Sequence, residues 1–295
     1  MELKNTNNQI ESDSKFILKF IKDLFIFIIT LIPYLFLALI NLFLLNTEDS
    51  KNYFKKIFVV PFQLFQNFST WFFQAKFTAI ITLTLIFTFL IQIIFINPNQ
   101  ILLETLMTNP NHLTSLNIFS LLTSIFLHGN LSHLISNLIA LTIFGRIVEN
   151  HFKIHIISIF LASGIIANLF SNLISLINND VFFSLGASGG IAGLIIMAIL
   201  LNPFQFTSLF IIPLPIFIIG WIIIFLDIMG LSNPSQTNHL AHIGGYLSLI
   251  ILMFTIKIKN RKKIYIGLII NISLILILYI LTKTLELTTL KNILF

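Results

Sequence analysis

Three short polar runs interrupt an otherwise apolar sequence: His128-Gly-Asn-Leu-Ser-His133-Leu-Ile-Ser-Asn137, Gly186-Ala-Ser188-Gly189-Gly190 and His239-Leu-Ala-His242-Ile-Gly244-Gly245. Their residue types suit acyl transfer. A serine hydroxyl is a weak nucleophile until a base lies within hydrogen-bond reach, and histidine is the usual base because its pKa is near neutral. Ser188 and His242 can supply that pair, with His239 as the rival base. Attack on an amide carbonyl creates an oxyanion, which fixed donors in a water-poor site stabilise by roughly 3–4 kcal/mol each. His133 and Asn137 are four apart, so on a helix they share a face and can act as such donors. Backbone N–H groups at the start of a helix opening near Gly186 are further candidates. Small residues at Gly186-x-x-x-Gly190, Gly189-x-x-x-Gly193 and Gly244-x-x-x-Ser248 would let the helices approach closely enough for the pair to meet.

The elements that position these runs must lie in a membrane. Of 295 residues, 57% are hydrophobic and 9% charged, with 32 Phe and a mean hydropathy of +0.98. A soluble domain of this length carries about 25% charged residues. A spanning helix needs about 20 apolar residues, which predicts spans at 24–45, 77–96, 131–149, 154–177, 186–201, 206–226, 239–256 and 264–282. The stretch 51–76 mixes Lys with Phe and Trp, is broken by Pro61, and reads as an interfacial segment. The first apolar run is too long for a signal-peptide core and lacks an A-x-A-like cleavage site, so it reads as mature structure. Cysteine is absent, which excludes disulfides and thiolate chemistry.

Lys and Arg set the orientation. Lys51, Lys55, Lys56 and Lys76 precede the 77–96 span, Arg146 and Lys153 mark the turn from the 131–149 span to the 154–177 span, and Lys257 to Lys263 follow the 239–256 span. The loops 97–130, 178–185 and 227–238 contain neither residue. By the parity of crossing these three loops share the face away from the cytoplasm, and each leads into a span that opens with one of the polar runs. The net charge of +6 therefore reports orientation in the bilayer, not nucleic-acid binding.

In order and placement, GASGG, AHIGG and HGNLSHLISN resemble the signature motifs of rhomboid intramembrane serine proteases, over roughly residues 77–256. The resemblance implies Ser188 as nucleophile, His242 as general base and acid, and His133 with Asn137 as oxyanion stabilisers. It favours His242 over His239, matches Glu149 to a structural position, and implies lateral substrate access past the fifth core span with loop 227–238 as a lid. Two positions depart from the family pattern. Phe119 and Ser120 stand where a Trp-Arg pair is common, and Ala192 stands where an aromatic often stacks on the base. His242 then needs another orienting group, such as Tyr246 or a phenylalanine.

Other membrane chemistries fit less well. No H-E-x-x-H run is present. A metal set drawn from His128, His133, His239 and His242 has no carboxylate, and Asp180 and Asp227 fall at helix ends in loops, which disfavours an aspartyl mechanism. The expected fold is an all-α polytopic membrane protein: a six-helix rhomboid-like core at 77–256, preceded by a polar tail, hydrophobic segment and interfacial segment at 1–76, and followed by a basic loop and C-terminal transmembrane helix at 257–295. The expected activity is serine endopeptidase cleavage of transmembrane or membrane-anchored proteins near the extracytoplasmic face, in the plasma or inner membrane, with no metal or organic cofactor. The alternative is a catalytically silent relative that binds transmembrane helices.

Overall fold

The computed structural model describes residues 16, 19–31, 34–35, 38–39, 47–207, 214–231, 237–255 and 262–274. The chain divides into two compact units, Met1–Ala79 with Phe206–Leu214, and Ile80–Gln205 with Pro215–Phe295.

In the first unit, helix α1 (Thr47–Gln74) runs unbroken through Pro61, contrary to the expected break. Proline removes one N–H donor but its fixed φ is helical. Aromatic packing beyond it offsets the loss: Trp71 stacks on Phe16 at 5.5 Å and Phe68 tilts against Phe20 at 5.6 Å. Of the candidate span 24–45, residues 24–31, 34–35 and 38–39 are helical, and 32–33, 36–37 and 40–45 lie outside the described residues.

The second unit carries the core. Helix α2 (Lys76–Ile91), which enters it at Ile80, ends in a π turn, Gln92–Ile96. Then come α3 (Leu131–Phe152, with a π turn at Leu141–Gly145), α4 (His155–Asn178), α5 (Ser188–Leu201), α6 (Ile216–Gly230) and α7 (His239–Thr255). All six expected core spans are helices. α2 with its π turn, α3 and α4 are each long and apolar enough to cross a membrane, and the other three are shorter apolar helices. This is the expected all-α polytopic membrane fold. α6 begins at Ile216, ten residues later than the apolar run that suggested it. The residue before a proline is pushed out of the α region, and Pro215 is extended at ψ 140°. The helix therefore forms only beyond it. Of the candidate span 264–282, residues 264–274 are helical and 275–282 lie outside the described residues, as do 232–236 of loop 227–238.

α5 is the centre of this unit: from Gly189 onward every residue but Ile196 is buried. It packs on α4 and α7, which also pack on each other. In lipid there is little hydrophobic gain in bringing helices together, so association relies on close backbone approach through small residues. The glycines supply it. An added Cβ at Gly245 of α7 would collide with the Gly189 carbonyl of α5 and lie 2.8 Å from the Ala192 methyl. One at Gly190 would lie 2.7 Å from the Phe160 carbonyl oxygen of α4. Ala192, where an aromatic is common in the family, is thus a position at which α7 touches α5.

Polar side chains hold the rest of this core. α4 buries Ser163, Asn168, Ser171, Asn172 and Ser175. Asn168 Nδ2 donates to the Leu121 carbonyl (2.8 Å) and Ser124 Oγ (3.0 Å), Asn172 Nδ2 to Thr108 Oγ1 (2.7 Å), and Ser248 Oγ to Ser163 Oγ (2.8 Å). Buried polar groups far from water require such partners. They tether loop 97–130 and α7 to one helix.

Overpacking a close contact typically costs 1–3 kcal/mol. Gly245→Ala should therefore lower the apparent melting temperature of the detergent-solubilised protein. Leu247→Ala, on the exposed face of the same helix, should leave it nearly unchanged.

Candidate active site

Each polar run opens a helix, and a local device fixes each start. Asn130 caps α3: its Oδ1 accepts from the His133 N–H (2.8 Å) and from Ser132 Oγ (2.8 Å). This places His133 in the first turn, half-buried, and Asn137 one turn deeper, buried, with its Nδ2 unpartnered among the described residues. The chain reaches this cap from His128, whose ring is fully buried and meets Phe89 and His133 edge-on at 6.4 and 5.2 Å. Gln92, in the π turn of α2, clamps the His128 backbone in both directions. Its Nε2 donates to the carbonyl (2.8 Å) and its Oε1 accepts from the N–H (2.9 Å).

The segment leading into α5 is tied to loop 97–130. Thr108 and Ser184 exchange N–H···O=C bonds of 3.0 and 2.7 Å, and the Gly186 N–H donates to the Ser124 carbonyl (2.9 Å). Gly186 has φ +129°, a conformation L side chains rarely adopt. Its lack of a side chain is also needed for space: an ideal Cβ would lie 2.8 and 2.9 Å from His133 Cε1 and Nε2, and 3.8 Å from Ser188 Oγ. The imidazole of His133 and the hydroxyl of Ser188 thus flank one glycine. Ser188 is the first residue of α5 and half-buried. It stands at the helix end where backbone N–H groups lack intrahelical acceptors.

Asn238, which lies outside the three polar runs, caps α7. Its Oδ1 accepts from the Ala241 N–H (3.0 Å) and from Ser171 Oγ (3.0 Å), while its Nδ2 donates to Ser184 Oγ (2.9 Å). One side chain therefore joins α7, α4 and the segment before α5. An asparagine immediately before a helical run is a recognisable start signal.

These starts converge. An added Cβ at Gly189 would lie 3.7 Å from the Ala241 carbonyl oxygen, so the neighbours of Ser188 and His242 touch. The pair itself shares no hydrogen bond among the described residues. Catalytic contacts are often long before substrate binds. The Nδ1 of His242 is engaged elsewhere, by Asp227 Oδ1 at 2.7 Å. The same oxygen meets His239 Nδ1 at 2.9 Å, and Asp227 Oδ2 accepts from the Tyr246 hydroxyl at 2.5 Å. Tyr246, expected to orient His242, is joined to it among the described residues through this carboxylate.

Asp227 corrects the expectation that it lies in a loop: it sits in the last turn of α6, 5% exposed. A carboxylate inside an apolar span is itself a signal of function, and that signal was open to the sequence. Asp227, His239 and His242 also offer three possible metal-ligand atoms within 4.8 Å of one another. The objection that a metal set here lacks a carboxylate therefore does not hold.

The helices of membrane-spanning character define an α-helical polytopic membrane protein, with a serine at one helix start and a histidine at a neighbouring one. Residues 115–259 match the family model of the Rhomboid domain, so this part of the chain belongs to the rhomboid family. No curated protein matches it.

The matched region also contains a pH-sensitive group outside the spans. Burial, followed by the nearby His133, pushes the His128 pKa down to about 4 from 6.5. A histidine lowered on folding favours the unfolded chain once protons bind there, so its contribution is complete above pH 6.5 and is lost as pH falls toward 4. By linkage the loss reaches about 3 kcal/mol. Melting curves between pH 7.5 and 4.5 should show this acid destabilisation in wild type and a shallower slope in His128→Gln.

Proposed function

We propose that this rhomboid-family protein is an intramembrane serine endopeptidase acting on transmembrane or membrane-anchored proteins. The observation that carries the reading is the meeting of three helix starts: Gly186 lies between His133 and Ser188, and Gly189 packs on Ala241 beside His242. In this reading Ser188 Oγ attacks the scissile carbonyl carbon and its proton passes to His242. With Nδ1 bonded to Asp227, Nε2 is the nitrogen that receives it. The oxyanion is met by His133, by the unpartnered Asn137 Nδ2, and by N–H groups at the start of α5, where the helix dipole adds to their effect. Collapse of the intermediate returns the Nε2 proton to the leaving amine and leaves an acyl-enzyme, which water then hydrolyses by the same route in reverse.

The membrane constrains the substrate as well as the enzyme. A transmembrane helix keeps its amides in its own hydrogen bonds, so the scissile segment must be locally unwound. Positive-inside orientation puts the three helix starts on the extracytoplasmic side of a plasma or inner membrane. Cleavage there requires water to reach Ser188 from that face.

Cleavage of a reporter transmembrane substrate in proteoliposomes, with fluorophosphonate labelling in parallel, tests the reading. Ser188→Ala and His242→Ala should each lower kcat by at least about 10³-fold, and Ser188→Ala should abolish labelling. His133→Ala and Asn137→Ala should each lower kcat by about 10²-fold with little change in KM. Cleavage that survives Ser188→Ala would refute the mechanism. A folded wild type that captures the substrate without cutting it would point to the silent helix-binding alternative.

A further inference from the structure

We infer that Asp227 is a positioning residue for the proposed reaction: it holds the His242 ring through Nδ1–H and so leaves the Nε2 lone pair to take the Ser188 proton. The inference rests on the proposed function, but its structural part stands on geometry alone. The Asp227 side chain is 7% exposed, in the last turn of an apolar helix. An ionisable group at such a place persists only with partners, and three converge on it. His242 Nδ1 and His239 Nδ1 meet Oδ1 at 2.7 and 2.9 Å, and the Tyr246 hydroxyl meets Oδ2 at 2.5 Å.

An ionised carboxylate is acceptor-only, so with Asp227 ionised all three partners must donate. Each imidazole then carries its hydrogen on Nδ1, which is the tautomer a general base needs when Nε2 faces the nucleophile. Residues 239, 242 and 246 fall on one face of α7. His239 and Tyr246 thus hold the carboxylate from either side of the histidine it orients. This answers the question Ala192 raises: with no aromatic one turn beyond Ser188, a buried carboxylate on α6 fixes the base instead.

When Ser188 Oγ bonds to the carbonyl carbon, its proton moves to His242 Nε2. The imidazolium keeps its Nδ1–H on Asp227, which stays ionised throughout. On collapse the Nε2 proton leaves with the amine. Asp227 exchanges no proton; it sets the ring's orientation and tautomer and stabilises the transient positive charge.

Two readouts on the full-length protein test this. In the inactive Ser188→Ala background, ¹⁵N NMR of the labelled histidines should find His242 as the Nδ1–H tautomer, switching to Nε2–H on adding Asp227→Asn. This reports on Asp227 even if the chain proves not to be a protease. In the Ser188-containing protein, Asp227→Asn should lower kcat about 10²–10⁴-fold with KM changed by no more than about threefold, by analogy with the buried aspartate of other serine-histidine sites. Asp227→Glu should restore part of the loss.

A folded Asp227→Asn protein with wild-type kcat would overturn the inference. So would an Nε2–H tautomer of His242 in the Ser188→Ala parent, a result that needs no folded Asp227 variant. Loss of wild-type activity on chelation, with recovery on adding zinc, would overturn it in favour of a metal held by Asp227, His239 and His242. Full cleavage by Ser188→Ala alongside the expected tautomer would leave Asp227 as the orienting group and refute only the reaction assigned to Ser188.

Discussion

The backbone contact between Gly189 on α5 and Gly245 on α7 is the constraint on which the rest of the site depends. No side chain fits between them, so the two helix axes are fixed at the distance of two bare backbones. At that separation the starts of α5 and α7, which carry Ser188 and His242 within a turn of the contact, lie side by side. Because association in lipid relies on such close backbone approach, the narrow spacing that holds the two helices together also brings their starts together.

Around that contact the polar content of the core is used as mortar. Asn168, Asn172 and Ser171 on α4 reach the loop before α3, Thr108 and Asn238 respectively. Asn238 passes the connection on to Ser184, two residues ahead of Gly186. The starts of α3, α5 and α7 are thereby referred to a single helix that contributes no candidate catalytic group. Such bonds are each of modest strength even in apolar surroundings. Their value here lies in direction, since a hydrogen bond fixes an angle where a methyl contact does not.

Much of this was legible in the sequence because it is local. Hydropathy is a property of twenty-residue windows, so the six core helices could be read with only one start misplaced, where Pro215 delays α6 until Ile216. The motif residues could be read because helix spacing puts His133 and Asn137 on one face. Asp227 could not be assigned a partner in the same way. Its bond to His242 depends on how α6 and α7 face each other across a connecting loop, and no periodicity encodes that. What the sequence does carry is the oddity of an aspartate ending an apolar run. Pro61 misled for the opposite reason: a residue that usually ends helices sits inside one, held by Phe68 and Trp71 packing on Phe20 and Phe16.

α5 has one further consequence, which follows from its length. Fourteen residues at about 1.5 Å each give roughly 21 Å, against a hydrocarbon layer of about 30 Å. The most buried helix of the core is therefore too short for the bilayer it occupies, and Ser188 stands at its end. The depth of the hydroxyl is set by where this helix stops, and the distance to bulk water by the thickness of the surrounding lipid. Hydrophobic mismatch, elsewhere a cost that a protein relieves by tilting, becomes here a property of the site: the same chain in a thicker membrane holds its serine deeper beneath the surface.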